Sequence, residues 1–174
     1  MFGGQWPGIE NRDSMRASEF ILGEFRRTID ERYRLSIPAE LADPLTTQSS
    51  GCILAKERPG ALSLWSAADW QERLKTDVEL VEKKMQAGRL EGRVEQVQML
   101  GRLLSTRHKE VELTGRGRLL LPEGFRQFLT AKPGDELFVV GAAVCIEIWR
   151  PESWVEYLNE QMPEFRQLLD NLSG

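Results

Sequence analysis

Side chains able to carry covalent or proton-transfer chemistry are few in this sequence. Of 174 residues one is histidine, His108, and it sits in the charged run from Arg107 to Glu110, the setting of a solvated strand. An enzyme needs a general acid or base, a nucleophile or a metal, and no GxSxG, HExxH, phosphate-loop or GxGxxG pattern supplies one. The carboxylates are interspersed with lysines and arginines, as on ordinary solvated helices. Cys52 and Cys145 lie 93 residues apart in the apolar segments GCILA and AAVCIEIW, with no second Cys or His at metal-ligand spacing. That placement predicts small core thiols. No metal, cofactor or small-molecule substrate is expected, and catalysis is the least supported class of function.

Arginines offer more. Arg32 and Arg34 form one pair two residues apart, and Arg116 and Arg118 form a second. In an extended segment alternate side chains point the same way, so each pair is expected to project from one face. Paired guanidiniums on a short ribbon bind phosphates and reach guanine edges bidentately, which a lysine point charge does less well. Gly115 and Gly117 would let the second turn bend tightly and approach a duplex closely.

These pairs belong to an internal repeat. Sliding residues 29–70 onto 113–154 without a gap gives eight identities in 42 positions: Arg32, Arg34, Leu35, Pro38, Leu45, Thr46, Trp65 and Trp70 meet Arg116, Arg118, Leu119, Pro122, Leu129, Thr130, Trp149 and Trp154. Four of the five tryptophans are among them, so duplication is the simplest account.

Each copy reads as β-turn-β-α-β-β in about 45 residues. A first strand alternates, with Phe25, Arg27 and Ile29 or Val111 and Leu113 on one side. The turn IDERYR or LTGRGR follows, then the short strand LSIP or LLLP, whose proline suits the first turn of a helix. In PEGFRQFL, Phe125, Phe128 and Leu129 share a side. A hairpin closes each unit, with Leu62 and Leu64 or Val144, Ile146 and Ile148 facing one way. One such unit buries too little apolar surface to stand alone, and the other copy supplies its partner.

Between the copies, the stretch from Ser66 to Asp69 predicts a capped helix start before Trp70, Leu74, Val78 and Val81. After Ala87 and Gly88 a second helix is expected with Leu90, Val94, Val97, Leu100 and Leu104 on one face. A C-terminal helix from Glu152 carries Trp154, Leu158, Met162 and Phe165. The resulting division is a loose tail over 1–19, a first repeat over 22–68, connecting helices over 69–104, a second repeat over 106–152 and an acidic helix over 153–174. Met15 is an alternative start.

With 41% apolar and 29% charged residues the chain is expected to fold, and no apolar run is long enough to span a membrane. The start of the chain lacks the basic and apolar regions of a signal peptide, which predicts a cytosolic protein. The formal charge of −4 resides entirely in the segment from Pro151 to Gly174; residues 1–150 are neutral and the segment from Arg102 to Arg126 carries a local excess of +3.

Two tandem copies of D-x-R-x-R-L-x-I-P and x-G-R-G-R-L-L-L-P, each closing on Leu-x-Leu-Trp or Ile-x-Ile-Trp before a Trp-bearing helix, resemble the MraZ family, the double-copy members of the SpoVT/AbrB-type DNA-binding proteins. The resemblance spans roughly residues 20–160. It implies an α+β fold in which two tandem SpoVT/AbrB-like β-hairpin units form a swapped-hairpin β-barrel with flanking amphipathic helices, assembling as a ring-like homo-oligomer. It further implies a nucleoid-associated transcriptional regulator that binds double-stranded DNA at short repeated sites upstream of its own division and cell-wall gene cluster.

On that basis Arg32, Arg34, Arg116 and Arg118 are the expected DNA contacts, with Asp30, Gly115 and Gly117 shaping the turns. The family's lysine is Arg32 and Arg116 here. Its glycine is kept as Gly117 and replaced by Tyr33, which closes any glycine-only conformation to the first turn; its aspartate is kept as Asp30 and replaced by Thr114. The alternative is a protein-interaction module, antitoxin-like or scaffolding, that works through its apolar helices.

Overall fold

The structure, a computed structural model, describes residues 20–47 and 50–174. The expected loose tail over 1–19 and the alternative start at Met15 lie outside them. The first copy consists of β1 (Glu24–Thr28), β2 (Arg34–Ser36), α1 (Ala39–Leu45), β3 (Gly51–Arg58) and β4 (Ala61–Ser66). Helices α2 (Ala67–Gln86) and α3 (Val94–Arg107) lead to the second copy: β5 (His108–Thr114), β6 (Arg118–Leu120), α4 (Glu123–Leu129), β7 (Glu136–Gly141) and β8 (Ile146–Trp149). The chain ends in α5 (Pro151–Gln161), a 3₁₀ turn over Met162–Glu164 and α6 (Phe165–Ser173).

The copies interlock. The eight strands run in the order β1-β7-β8-β4-β3-β5-β6-β2, so β1 lies against the hairpin of the second copy and β5 against that of the first. Two ladders sit on the pseudo-twofold axis: β4 with β8, and β2 with β6. The barrel interior is correspondingly paired, with Ile29, Leu35, Ile37, Leu41 and Leu45 buried together with their counterparts Leu113, Leu119, Leu121, Phe125 and Leu129. Each copy contributes half of one core, which is why neither unit is a domain of its own.

Strand register refines the repeat. Cys52 and Leu54 occupy the core places of Leu137 and Val139, an offset one residue longer than the 84 that relates the rest of the copies. A shorter loop before β3 produces the slip, and the irregularity between Lys56 and Arg58 absorbs it before β4.

The helices differ from expectation at two breaks. Ser66 caps α2 as expected, its Oγ accepting from the Asp69 N–H at 3.3 Å. Leu90, however, lies in a turn, because Gly92 at φ +77° takes the left-handed conformation and helix resumes only at Val94. The C-terminal helix is divided at Met162–Glu164, where Pro163 removes a donor and crowds the preceding turn.

Duplicated tryptophans anchor these helices to the barrel. Trp65 and Trp70 stand 6.1 Å apart by ring centroid, and Trp149 and Trp154 5.2 Å apart. Trp154 also donates from Nε1 to Glu24 Oε1 at 2.8 Å.

Candidate nucleic-acid interface

Each basic turn is tied to the opposite copy. The Ile37 N–H donates to the Gly117 carbonyl at 2.7 Å, and the Leu121 N–H donates to the Tyr33 carbonyl at 2.9 Å. These two bonds are equivalent under the repeat and place the turns at the two ends of the β2–β6 ladder.

In the first turn the Asp30 N–H donates to the Arg34 carbonyl and the Tyr33 N–H to the Asp30 carbonyl, both at 3.0 Å. The Asp30 carboxylate organises the loop: Oδ1 accepts from the N–H groups of Arg32 at 2.9 Å and Arg34 at 2.8 Å, while Oδ2 accepts from Arg34 Nε at 2.9 Å. Its pKa is held below the ordinary value, chiefly by the Arg34 backbone N–H; desolvation opposes this, and the Arg32 N–H and the Arg34 side chain add to the lowering.

Tyr33 adopts φ +60°, and Gly117 at the matching position has φ +85°. The substitution therefore leaves the first turn in the left-handed region, which a non-glycine residue enters at a cost of roughly 1–2 kcal/mol. The Tyr33 ring packs against the core, and the Arg126 guanidinium covers it 3.7 Å from the ring centroid. At Gly117 a Cβ would fall 2.6 Å from the Ile37 carbonyl oxygen, so glycine there is a steric requirement.

The second turn is held differently. Gly115 has φ +55°, and Thr114, standing where the first copy has Asp30, makes one long bond from Oγ1 to the Arg118 carbonyl at 3.5 Å. Arg116 and Arg118 are exposed and have no ion-pair partner among the described residues, whereas Arg34 is paired with Asp30.

The extended conformation assumed between the members of each arginine pair is absent, because Tyr33 and Gly117 take positive φ. The β2–β6 ladder instead unites arginines from different copies. Arg34 pairs with Leu120, Leu35 with Leu119 and Ser36 with Arg118. Leu35 and Leu119 are fully buried, so Arg34, Ser36, Arg118 and Leu120 share the outer face. Arg34 and Arg118 are diagonal neighbours there, a relation that typically separates residues by about 7–8 Å. Residue types alone pointed to the arginines but not to Leu120, Ser36 or Arg126; counting outward from the buried Leu35 and Leu119 would have found the first two.

His108 differs from the expected solvated residue. It packs 5.2 Å from Trp70 by ring centroid, and its Nδ1 is shielded with no hydrogen-bond partner among the described residues. Cys52 and Cys145 are buried free thiols, as expected. Among the described residues no group of three or more His, Cys, Asp or Glu side chains could hold a metal, and no helix is long and apolar enough to cross a membrane.

Two repeats that exchange their first strands across a closed core define a tandem swapped-hairpin barrel of the SpoVT/AbrB type. Comparison with known proteins agrees. A family model described as "MraZ protein, putative antitoxin-like" matches residues 105–172. The protein named Transcriptional regulator MraZ from Roseiflexus castenholzii is 30% identical over 138 residues, covering 79% of this chain and 86% of the relative. Its namesake from Desulforamulus reducens is 30% identical over 151 residues, covering 87% and 96%, and that from Syntrophomonas wolfei is 24% identical over 151 residues, covering 87% and 95%. The chain belongs to the MraZ family.

Proposed function

We propose that the chain is a DNA-binding transcriptional regulator that reads duplex DNA through Arg32, Arg34, Arg116 and Arg118 and works in the cytosol at the nucleoid. The observation that carries this reading is the joint presentation of Arg34 and Arg118 on the outer face of the two-stranded β2–β6 ribbon. A ribbon of this width fits a major groove, where guanidiniums take guanine edges and the flanking turns take phosphates. The name carried by the relatives supports the same reading. No cofactor is needed for it.

Assembly into a ring on tandem sites upstream of its own gene cluster completes the proposal. A single subunit offers few phosphate contacts, and several facing repeated sites gain affinity through effective concentration. The apolar side chains of Phe165, Leu168, Leu169 and Leu172 are exposed along α6, which supports contact between copies. That same face favours a second reading, a protein-interaction module.

Anisotropy binding to the upstream fragment and to scrambled DNA at several salt concentrations tests the regulator. Replacing Arg116 and Arg118 together by alanine is expected to weaken binding and to lower the salt slope by roughly one for each phosphate the variant no longer neutralises. An unchanged slope would show that these arginines do not touch the phosphates. Native mass spectrometry separates homo-oligomers, expected for the regulator, from a stable complex with another protein.

A further inference from the structure

The geometry points to Leu120 as a thymine-reading residue, a role that rests on the DNA-binding reading above. Leu120 is 57% exposed in the end pair of the β2–β6 ladder. A solitary exposed leucine is ordinary; the position of this one is not. Arg34 stands directly across the ladder, and Arg118 lies two residues back on the same strand and the same face. A duplex edge spanning the Arg34–Arg118 diagonal is flanked by Leu120 on one side and Ser36 on the other.

An isobutyl group in that place can neither neutralise a phosphate nor hydrogen-bond a base edge. The major groove offers it one apolar partner, the C5-methyl of thymine. Ser36, the counterpart of Leu120 in the first copy, occupies the same outer face opposite Arg118 and carries a hydroxyl that donates or accepts. The two halves of the ribbon therefore read different bases: the second copy selects a thymine methyl next to the arginine contacts, and the first copy does not. A pseudo-symmetric barrel thereby acquires a direction on DNA.

The test uses the full-length protein and duplexes of the upstream fragment that differ only in carrying thymine or deoxyuridine at one position at a time. Wild-type protein is expected to bind roughly three- to fivefold more weakly when the methyl beneath Leu120 is removed, the change expected for one buried methyl. Leu120→Ala should bind the thymine duplex weaker by a similar factor, cease to distinguish thymine from deoxyuridine, and keep the wild-type salt slope. Equal binding of wild type to every duplex pair, or undiminished discrimination by Leu120→Ala, would overturn the assignment while leaving salt-sensitive binding in place. Failure of wild type to prefer the native fragment over scrambled DNA would instead overturn the regulator reading, and this assignment with it.

Discussion

The Arg126 guanidinium lies over the Tyr33 ring at 3.7 Å, and the equivalent pair in the other half of the barrel is Ala42 with Gly117. A Cβ at Gly117 would meet the Ala42 methyl at 3.8 Å as well as the Ile37 carbonyl. One half thus fills this space with two long side chains and the other with a single methyl group beside the glycine backbone. The left-handed turn is the same in both; what covers it differs.

Arg126→Ala is accordingly expected to destabilise the protein by about 1 kcal/mol, the usual worth of a close cation–π contact. In a Tyr33→Gly background the same change should cost much less, because no ring remains to cover. Urea unfolding of the four proteins in a double-mutant cycle measures the coupling.

Gly117→Ala should be more damaging than any single change at Tyr33. The added methyl collides with the carbonyl of Ile37, whose N–H is bonded back to Gly117, and neither backbone group can move without opening the ladder. A destabilisation of about 2 kcal/mol is expected, read as a lower urea midpoint with an unchanged slope.

Asp30 makes the first turn sensitive to acid. Its carboxyl titrates below the ordinary value in the folded protein, so its ties to Arg32 and Arg34 are complete at neutral pH. They are lost only as the pH falls below about 4, through that depressed value. The amide resonances of Arg32 and Arg34 should shift together in that range, while those of Arg116 and Arg118 stay put. Asp30→Ala should reproduce the acid spectrum at pH 7.

Neither cysteine should react in the folded state. Burial pushes the Cys52 thiol up to about 11, and burial aided by nearby Glu147 and Glu57 pushes Cys145 up to about 12. A thiol-specific disulfide reagent at pH 8 is expected to leave both untouched until urea is added, since the thiolate is the reactive form.

For the proposed homo-oligomer, Leu168→Glu combined with Leu172→Glu is expected to lower the assembly state while leaving the barrel cooperatively folded. Both side chains are exposed on α6, so the barrel core is left intact. Native mass spectrometry reads the first expectation and calorimetry the second.

Much of this molecule was legible in the residues. The repeat, its strand and helix types, the Ser66 cap and the paired arginines all follow from periodicity and spacing, because local apolar alternation decides which side of an element is buried. Pairing across the chain is another matter. That β1 lies on β7, that Arg34 stands opposite Leu120, and that β3 is slipped by one residue depend on register between segments far apart in the chain, which alternation within either segment cannot specify.

His108 and Tyr33 show the same limit at single side chains. The charge around His108 suggested solvent, and Trp70, delivered by the connecting helix α2, shields it instead. Tyr33, by its type, argued against the turn that Gly117 permits; it adopts that turn beneath Arg126. The sequence by itself determined which chemistry was available, a set of guanidiniums on two short turns. Only the tertiary structure decided which of them stand together and what lies between them, because packing across the pseudo-twofold axis sets neighbours that no local pattern records.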